Sequence, residues 1–132
     1  MGMSCSIRVL GREAMILRTS LNPELDAQMV AFHGELDAAA APDLDTRLNE
    51  VLEAPRGALL IDLGGCTFID SLGIAALVRG SREMLERGRA VAAAVPSPQV
   101  RRTLALTGVD SLLEVCWSRE DALRWLSEQE AG

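Results

Sequence analysis

LLIDLGGCTFIDSLGIAALVR, running from Leu59 to Arg79, passes from a short apolar run through a glycine pair into a helical pattern. The run Gly57 to Leu63 is almost wholly apolar and is bounded by Gly57 and Gly64-Gly65, as expected of a strand covered on both faces. Gly64 to Asp70 reads as the connecting loop, with the two glycines permitting positive backbone angles ahead of Phe68. Ile74, Leu77, Val78 and Leu85 then mark one side of a helix, with Arg79, Arg82, Glu83 and Glu86 opposite. Gly88 suits the left-handed cap that ends it. A buried strand feeding a helix is the unit of an α/β fold, so the flanking sequence should repeat it.

It does so in both directions. Upstream, Met15, Leu17 and Thr19 alternate with Ile16, Arg18 and Ser20, a strand pattern stopped by Asn22-Pro23. Gln28 to His33 reads as a second strand ending at Gly34, joined to the first through Asn22 to Asp26 as a hairpin. Pro42 opens a helix in which Leu44, Leu48, Val51 and Leu52 share one face, with Asp43 and Asp45 at the positive end of its dipole. It ends near Ala54-Pro55. Downstream, Arg89 to Val95 repeats the buried-strand pattern. Ser97-Pro98 offers an N-cap and first turn for a short helix carrying Val100 and Leu104 up to Gly108. Leu112 to Trp117 supplies a last strand, and Ser118 with Asp121 resembles a capping box for a helix whose inner face is Ala122, Leu123 and Leu126. This order predicts a mixed, mostly parallel sheet with about four helices packed against it through right-handed crossovers. The core should span about 15–126, with Met1 to Arg12 and Gln129 to Gly132 as loosely held ends and Ile7 to Leu10 as a candidate edge strand.

The 132 residues suit one domain, residues 1–132, able to bury roughly two-thirds of its unfolded surface. Thirteen Lys and Arg against 19 Asp and Glu give a net charge of -6, which points away from direct nucleic-acid binding and from anionic membrane surfaces. Cys5, Cys66 and Cys116 form neither a disulfide framework nor a zinc spacing, so a reducing cytoplasm is expected. Nothing in the sequence predicts an export signal or a membrane-inserted span. His33 is the single histidine, which rules out a multi-histidine metal site, and no metal or cofactor is expected.

The polar pair Asp70-Ser71 falls between apolar Phe68-Ile69 and the apolar helix face, at the helix start, where backbone N–H groups lack partners. Capping alone accounts for residues of these types at that place. A wider pattern adds a functional reading. Gly34-Glu35-Leu36-Asp37 before the helix at Ala41-Pro42, then Leu60-Ile61-Asp62-Leu63, Phe68-Ile69-Asp70-Ser71 and Gly73, resembles the STAS domain of anti-sigma factor antagonists, over about Met15 to Leu126. The resemblance implies the STAS fold and a cytoplasmic, monomeric phosphoprotein that switches partners. Its unphosphorylated form would bind an anti-sigma factor with serine kinase activity and so release a sigma factor. Phosphorylation of Ser71 would end that binding, and a PP2C-type phosphatase would restore it. Asp37, Asp70, Ser71, Leu72 and Gly73 are then the partner-binding residues. Leu72 departs from the Ser or Thr common after the phosphoacceptor, which removes a second hydroxyl.

Other functions fit less well. A serine hydrolase would need Ser71 as nucleophile and His33 as base, yet Ile69-Asp70-Ser71-Leu72-Gly73 lacks the first glycine of the G-x-S-x-G elbow. His33, beside a glycine at a strand end, reads as a partly buried structural residue, and Glu35 as a solvated strand end. Gly64-Gly65 carries no lysine and is no phosphate loop. STAS-like domains also act as scaffolds in stress-signalling complexes and as soluble regulatory subunits of membrane transporters, so the same fold leaves those roles open.

Overall fold

The alternating segment from Met15 and the run from Gln28 pair antiparallel, as their patterns predict. The structure is a computed structural model that describes residues 5–10, 14–22, 27–54 and 57–131. Strand β2 (Ala14–Asn22) lies against β3 (Ala27–Leu36), with Ile16 opposite Phe32 and Thr19 opposite Met29; the link through residues 23–26 lies outside the described residues. Strand β1 (Cys5–Leu10) pairs antiparallel with the outer edge of β2, Ile7 opposite Leu17. The segment expected as a loose end is therefore an edge strand longer than Ile7 to Leu10. It pairs backbone groups that β2 would otherwise present to solvent.

Beyond β3 the chain alternates helix and strand: α1 (Ala41–Glu53), β4 (Ala58–Ile69), α2 (Ser71–Glu86), β5 (Val91–Ala94), α3 (Pro98–Leu106), a 3₁₀ turn at Val109–Ser111, β6 (Glu114–Cys116) and α4 (Arg119–Ala131). Helix α4 reaches into the tail expected to be loose from Gln129. Strands β3 to β6 are parallel, and the six-stranded sheet runs β1-β2-β3-β4-β5-β6. Because the parallel strands advance in one direction, right-handed crossovers put α1, α2 and α3 on the same face. There Leu44, Leu48, Leu77, Val100 and Leu104 pack on Val30, Phe32, Leu59, Ile61 and Leu63. Helix α4 covers the other face, where Ala122 and Leu126 meet Met29, Ala31, Leu60, Ala92 and Ala94.

Three further expectations change. The loop expected from Gly64 to Asp70 is the second half of β4, because β3 also runs on through Gly34 to Leu36 and the ladder continues between them. Register shifts between Ala31 and His33 and between Gly34 and Glu35 absorb the irregularity. Positive φ occurs at Gly34 and Gly57, not at Gly64 or Gly65. Gly65 serves close approach instead, since a Cβ there would overlap the His33 imidazole. The inner face of α2 is also rotated from the one its large side chains suggest. Gly73, Ala76, Leu77, Gly80, Ser81 and Met84 are buried, while Leu85 is exposed. Small residues let α2 approach α1: a Cβ on Gly80 would stand 2.5 Å from Leu48 Cδ1.

The helix ends follow their sequence signals. Ser97 Oγ accepts the Val100 N–H at 3.3 Å, Ser118 Oγ accepts the Asp121 N–H at 3.1 Å, and Gly88 adopts φ 71° after α2. Arg89, read as the start of a strand, does other work. Its buried guanidinium donates to the carbonyls of Val51, Ala54 and Gly57 at 3.2, 3.0 and 2.7 Å, satisfying acceptors at the end of α1.

Candidate functional site

Leu36 and Ile69 are register partners at the C-terminal ends of β3 and β4, so Asp37 and Asp70 leave the sheet side by side. The Asp70 N–H donates to the Leu36 carbonyl at 3.2 Å and closes the two strand ends. Asp37 Oδ1 accepts the N–H groups of Ala39 and Ala40 at 3.1 and 3.2 Å, building the turn that starts α1. Asp70 is extended, with φ −108° and ψ −174°, and its Oδ1 accepts the N–H groups of Leu72 and Gly73, both at 3.0 Å. It is the N-cap of α2, and its negative charge sits at the favourable end of the helix dipole.

Ser71 is the first residue of α2 and is exposed. Its hydroxyl has no hydrogen bond among the described residues. Gly73, one turn in, is buried because α2 starts against β3: a Cβ there would stand 2.8 Å from Leu36 Cγ and closer still to the Leu36 carbonyl oxygen. Leu72 is 52% exposed and Phe68 50% exposed, so apolar side chains flank the serine turn in solvent. The structure thus gathers Asp37, Asp70, Ser71, Leu72 and Gly73 at one end of the sheet, on a first turn held by the Asp70 cap and the Gly73 contact.

Other residues singled out from sequence lie elsewhere. His33, read from sequence as partly buried, is exposed on β3; its ring lies against Gly65, and no hydrogen bond links it to Ser71. Glu35 is exposed, as expected. Asp62 is structural: its Oδ2 accepts from Arg119 Nε at 3.2 Å and Nη2 at 2.8 Å, and its Oδ1 accepts the Gly64 N–H at 2.8 Å, tying α4 to β4. Cys66 and Cys116 are buried free thiols, and burial pushes both pKa values up, with nearby Glu114 and Asp121 adding to the rise at Cys116. Among the described residues no group of acidic, histidine or cysteine side chains is placed to hold a metal ion, and no helix is long and apolar enough to cross a membrane.

Sequence reasoning missed several exposed groups near this end of the sheet. Phe68 lines a groove of about 430 Å³ with Arg102 and Leu106 of α3, and Leu106 is 77% exposed. Strand alternation held the signal for Phe68, since buried Ile69 turns its neighbour outward. On the far side of α3, the Arg101 guanidinium stacks 3.5 Å from the centroid of exposed Trp117.

The family model described as "Mlab, STAS domain" matches residues 20–114. The chain belongs to the STAS-domain family. Among solved structures, this STAS domain is similar to an anti-sigma factor antagonist from Mycobacterium paratuberculosis, at 27% identity and TM-score 0.66, over 93% of this chain and 94% of that one. It is also similar to a sulfate transporter family protein from Wolinella succinogenes, at 19% identity and TM-score 0.72, over 82% and 90% of the two chains. The murine anion transporter Solute Carrier 26 family member A9 matches at 18% identity and TM-score 0.70, over 97% of this chain and 23% of that one. At such identities the two transport proteins share the fold.

Proposed function

We propose that this STAS domain is an anti-sigma factor antagonist that works in the cytoplasm without a cofactor, as a monomer and not as an enzyme. Unmodified, it binds an anti-sigma factor with serine kinase activity and frees a sigma factor. Phosphorylation of Ser71 ends that binding, and a PP2C-type phosphatase reverses the modification. The observation that carries the reading is the exposed Ser71 hydroxyl, set on a fixed helical turn between Phe68 and Leu72 and beside Asp37 and Asp70. The likeness to the mycobacterial antagonist supports it.

The geometry supplies a physical reason for the switch. A phosphate adds about −1.5 to −2 charges. At many helix starts, free N–H groups would take up such an anion. Here the Asp70 carboxylate already holds the N–H groups of Leu72 and Gly73. The phosphate on Ser71 is left beside a carboxylate and projects outward, so the fold persists while the surface changes. A partner pocket shaped for a neutral hydroxyl between two apolar side chains meets a hydrated dianion and loses affinity.

The test incubates the protein with the anti-sigma kinase of its own genome and ATP, and maps phosphate by mass spectrometry. Phosphate on Ser71, with tight binding by Ser71→Ala and weak binding by Ser71→Asp, is the expected result. Absence of transfer to Ser71 from a kinase shown to be active, or equal binding by both variants, would contradict the switch. It would then favour a scaffold or transporter-subunit role for the same fold.

A further inference from the structure

We propose that the groove between the end of β4 and α3 is a docking site for an acidic amphipathic segment of the partner protein. Identifying that partner as the anti-sigma kinase rests on the antagonist reading, whereas the groove's chemistry stands by itself. One wall is Phe68 and Ile69; the other is Gln99, Arg102, Thr103 and Leu106. The four α3 positions are spaced i, i+3, i+4 and i+7, so they form one stripe along the helix. Buried Leu104 anchors α3 against the core, and buried Val100 forms part of the groove lining between the stripe and β4.

Charge says what the stripe fits. The chain carries a net charge of −6, yet α3 contains Arg101 and Arg102 and no carboxylate. The two arginines are differently placed. Arg101 is engaged with Trp117 and donates to the Val95 carbonyl at 3.3 Å. Arg102 is exposed and has no ion pair or hydrogen bond among the described residues, and no carboxylate lines the groove around it. Thr103 donates its hydroxyl to the Gln99 carbonyl at 3.2 Å, so that polar group is already partnered within α3. The groove lining therefore offers two large exposed apolar side chains, Phe68 and Leu106, together with a guanidinium that has no partner among the described residues. A helix with leucine-like side chains on one face and glutamates along its border would bury the first pair and meet the second. The net charge of −6 opposes a second copy of this chain, and the preference for an acidic segment rests on Arg102 and the absence of carboxylates from the groove lining.

The site is tested on ¹⁵N-labelled protein with a synthetic amphipathic helix of Leu and Glu, and with the same peptide carrying Lys for Glu. Amide shifts confined to Thr67–Ile69 and Gln99–Leu106, seen with the Glu peptide and lost in Arg102→Glu and Leu106→Ser, are expected. Both altered side chains are exposed, so the variants should keep the wild-type fold, checked by circular dichroism. Against the anti-sigma kinase, each variant should bind about ten-fold more weakly or worse, and the salt dependence should flatten in Arg102→Glu. Shifts that are absent, lie elsewhere or arise equally with the Lys peptide overturn the proposal, as does self-association or binding to anionic vesicles through this face. If the kinase binds both variants as tightly as wild type, the groove fails and the antagonist reading stands. If the kinase ignores wild-type protein while the Glu peptide maps to the groove, the antagonist reading fails and the groove stands.

Discussion

Replacing Gly73 with alanine sets two effects of opposite sign against each other. Within a helix, alanine is favoured over glycine by about 1 kcal/mol, which would stabilise α2. Against this, the new Cβ would stand 2.8 Å from Leu36 Cγ, 3.1 Å from Ile69 Cγ1 and closer still to the Leu36 carbonyl oxygen. A leucine side chain can turn aside. The carbonyl is less free, because it accepts the Asp70 N–H at 3.2 Å where the two strands end. Overpacking of a tight contact costs about 1–3 kcal/mol, and loosening that hydrogen bond forfeits up to about 1 kcal/mol more. The net spans about 0–3 kcal/mol, and because the closest of the three contacts is with backbone rather than with a flexible side chain, Gly73→Ala should lie in the upper part of that range. With a urea slope of about 1–3 kcal/mol per M, the unfolding midpoint falls by roughly 1 M. Urea titration followed by far-ultraviolet circular dichroism reads this directly. Gly88→Ala is the control, since φ is 71° there but a Cβ meets nothing within 4 Å; it should lose about 1–2 kcal/mol through backbone conformation alone. A Gly73→Ala midpoint equal to or above wild type would refute the argument that α2 is seated directly on the end of β3.

Asp70→Ala should lose about 1 kcal/mol through the cap, with Asp70→Asn nearer wild type, measured by the same titration. Because Asp70→Ala frees the Leu72 and Gly73 N–H groups, phosphorylation of Ser71 should raise the Tm of that variant relative to its unmodified form, more than it does in wild type. Arg119→Ala should cost about 0.5 kcal/mol, with the difference shrinking in high salt, since the half-exposed arginine is screened as it pairs with Asp62. Cys66 has a pKa raised above 9.0 by burial, so the unfolded chain gives up this proton first. Its contribution to stability is present below pH 9 and is lost as pH rises toward the folded-state value, and alkylation at neutral pH should be slow until urea unfolds the protein.

Patterns of a single period were legible in the sequence. The hairpin, the buried strands and the caps at Ser97 and Ser118 followed from alternation and from residue chemistry, and the edges of the serine turn followed from the Asp70-Ser71 pair. What escaped depended on partners distant along the chain. The second half of β4 reads as a loop because its glycines are judged alone; only β3, running on beside it to Leu36, shows that the backbone stays paired. The face of α2 was misjudged because large side chains mark a stripe more clearly than Gly73, Ala76 and Gly80, although the small residues are what meet α1 and β3. Arg89 looked like the start of a strand, since its acceptors at Val51 and Ala54 lie 38 and 35 residues away. The docking groove was hidden for the same reason, as Phe68 and Leu106 become neighbours only when α3 folds back.

The order β1-β2-β3-β4-β5-β6 has a bearing on how the chain assembles. Each strand's neighbour is the next strand made, and no later strand must insert between two already joined. The sheet can therefore grow by addition at one edge as the chain leaves the ribosome, each step closing a single short crossover. Until β4 arrives, β3 offers an open edge, as β4 in turn does until β5 arrives, and each interval exposes the nascent protein to mispairing. The finished sheet ends in β6, a strand of three residues that leaves little edge for another chain to extend.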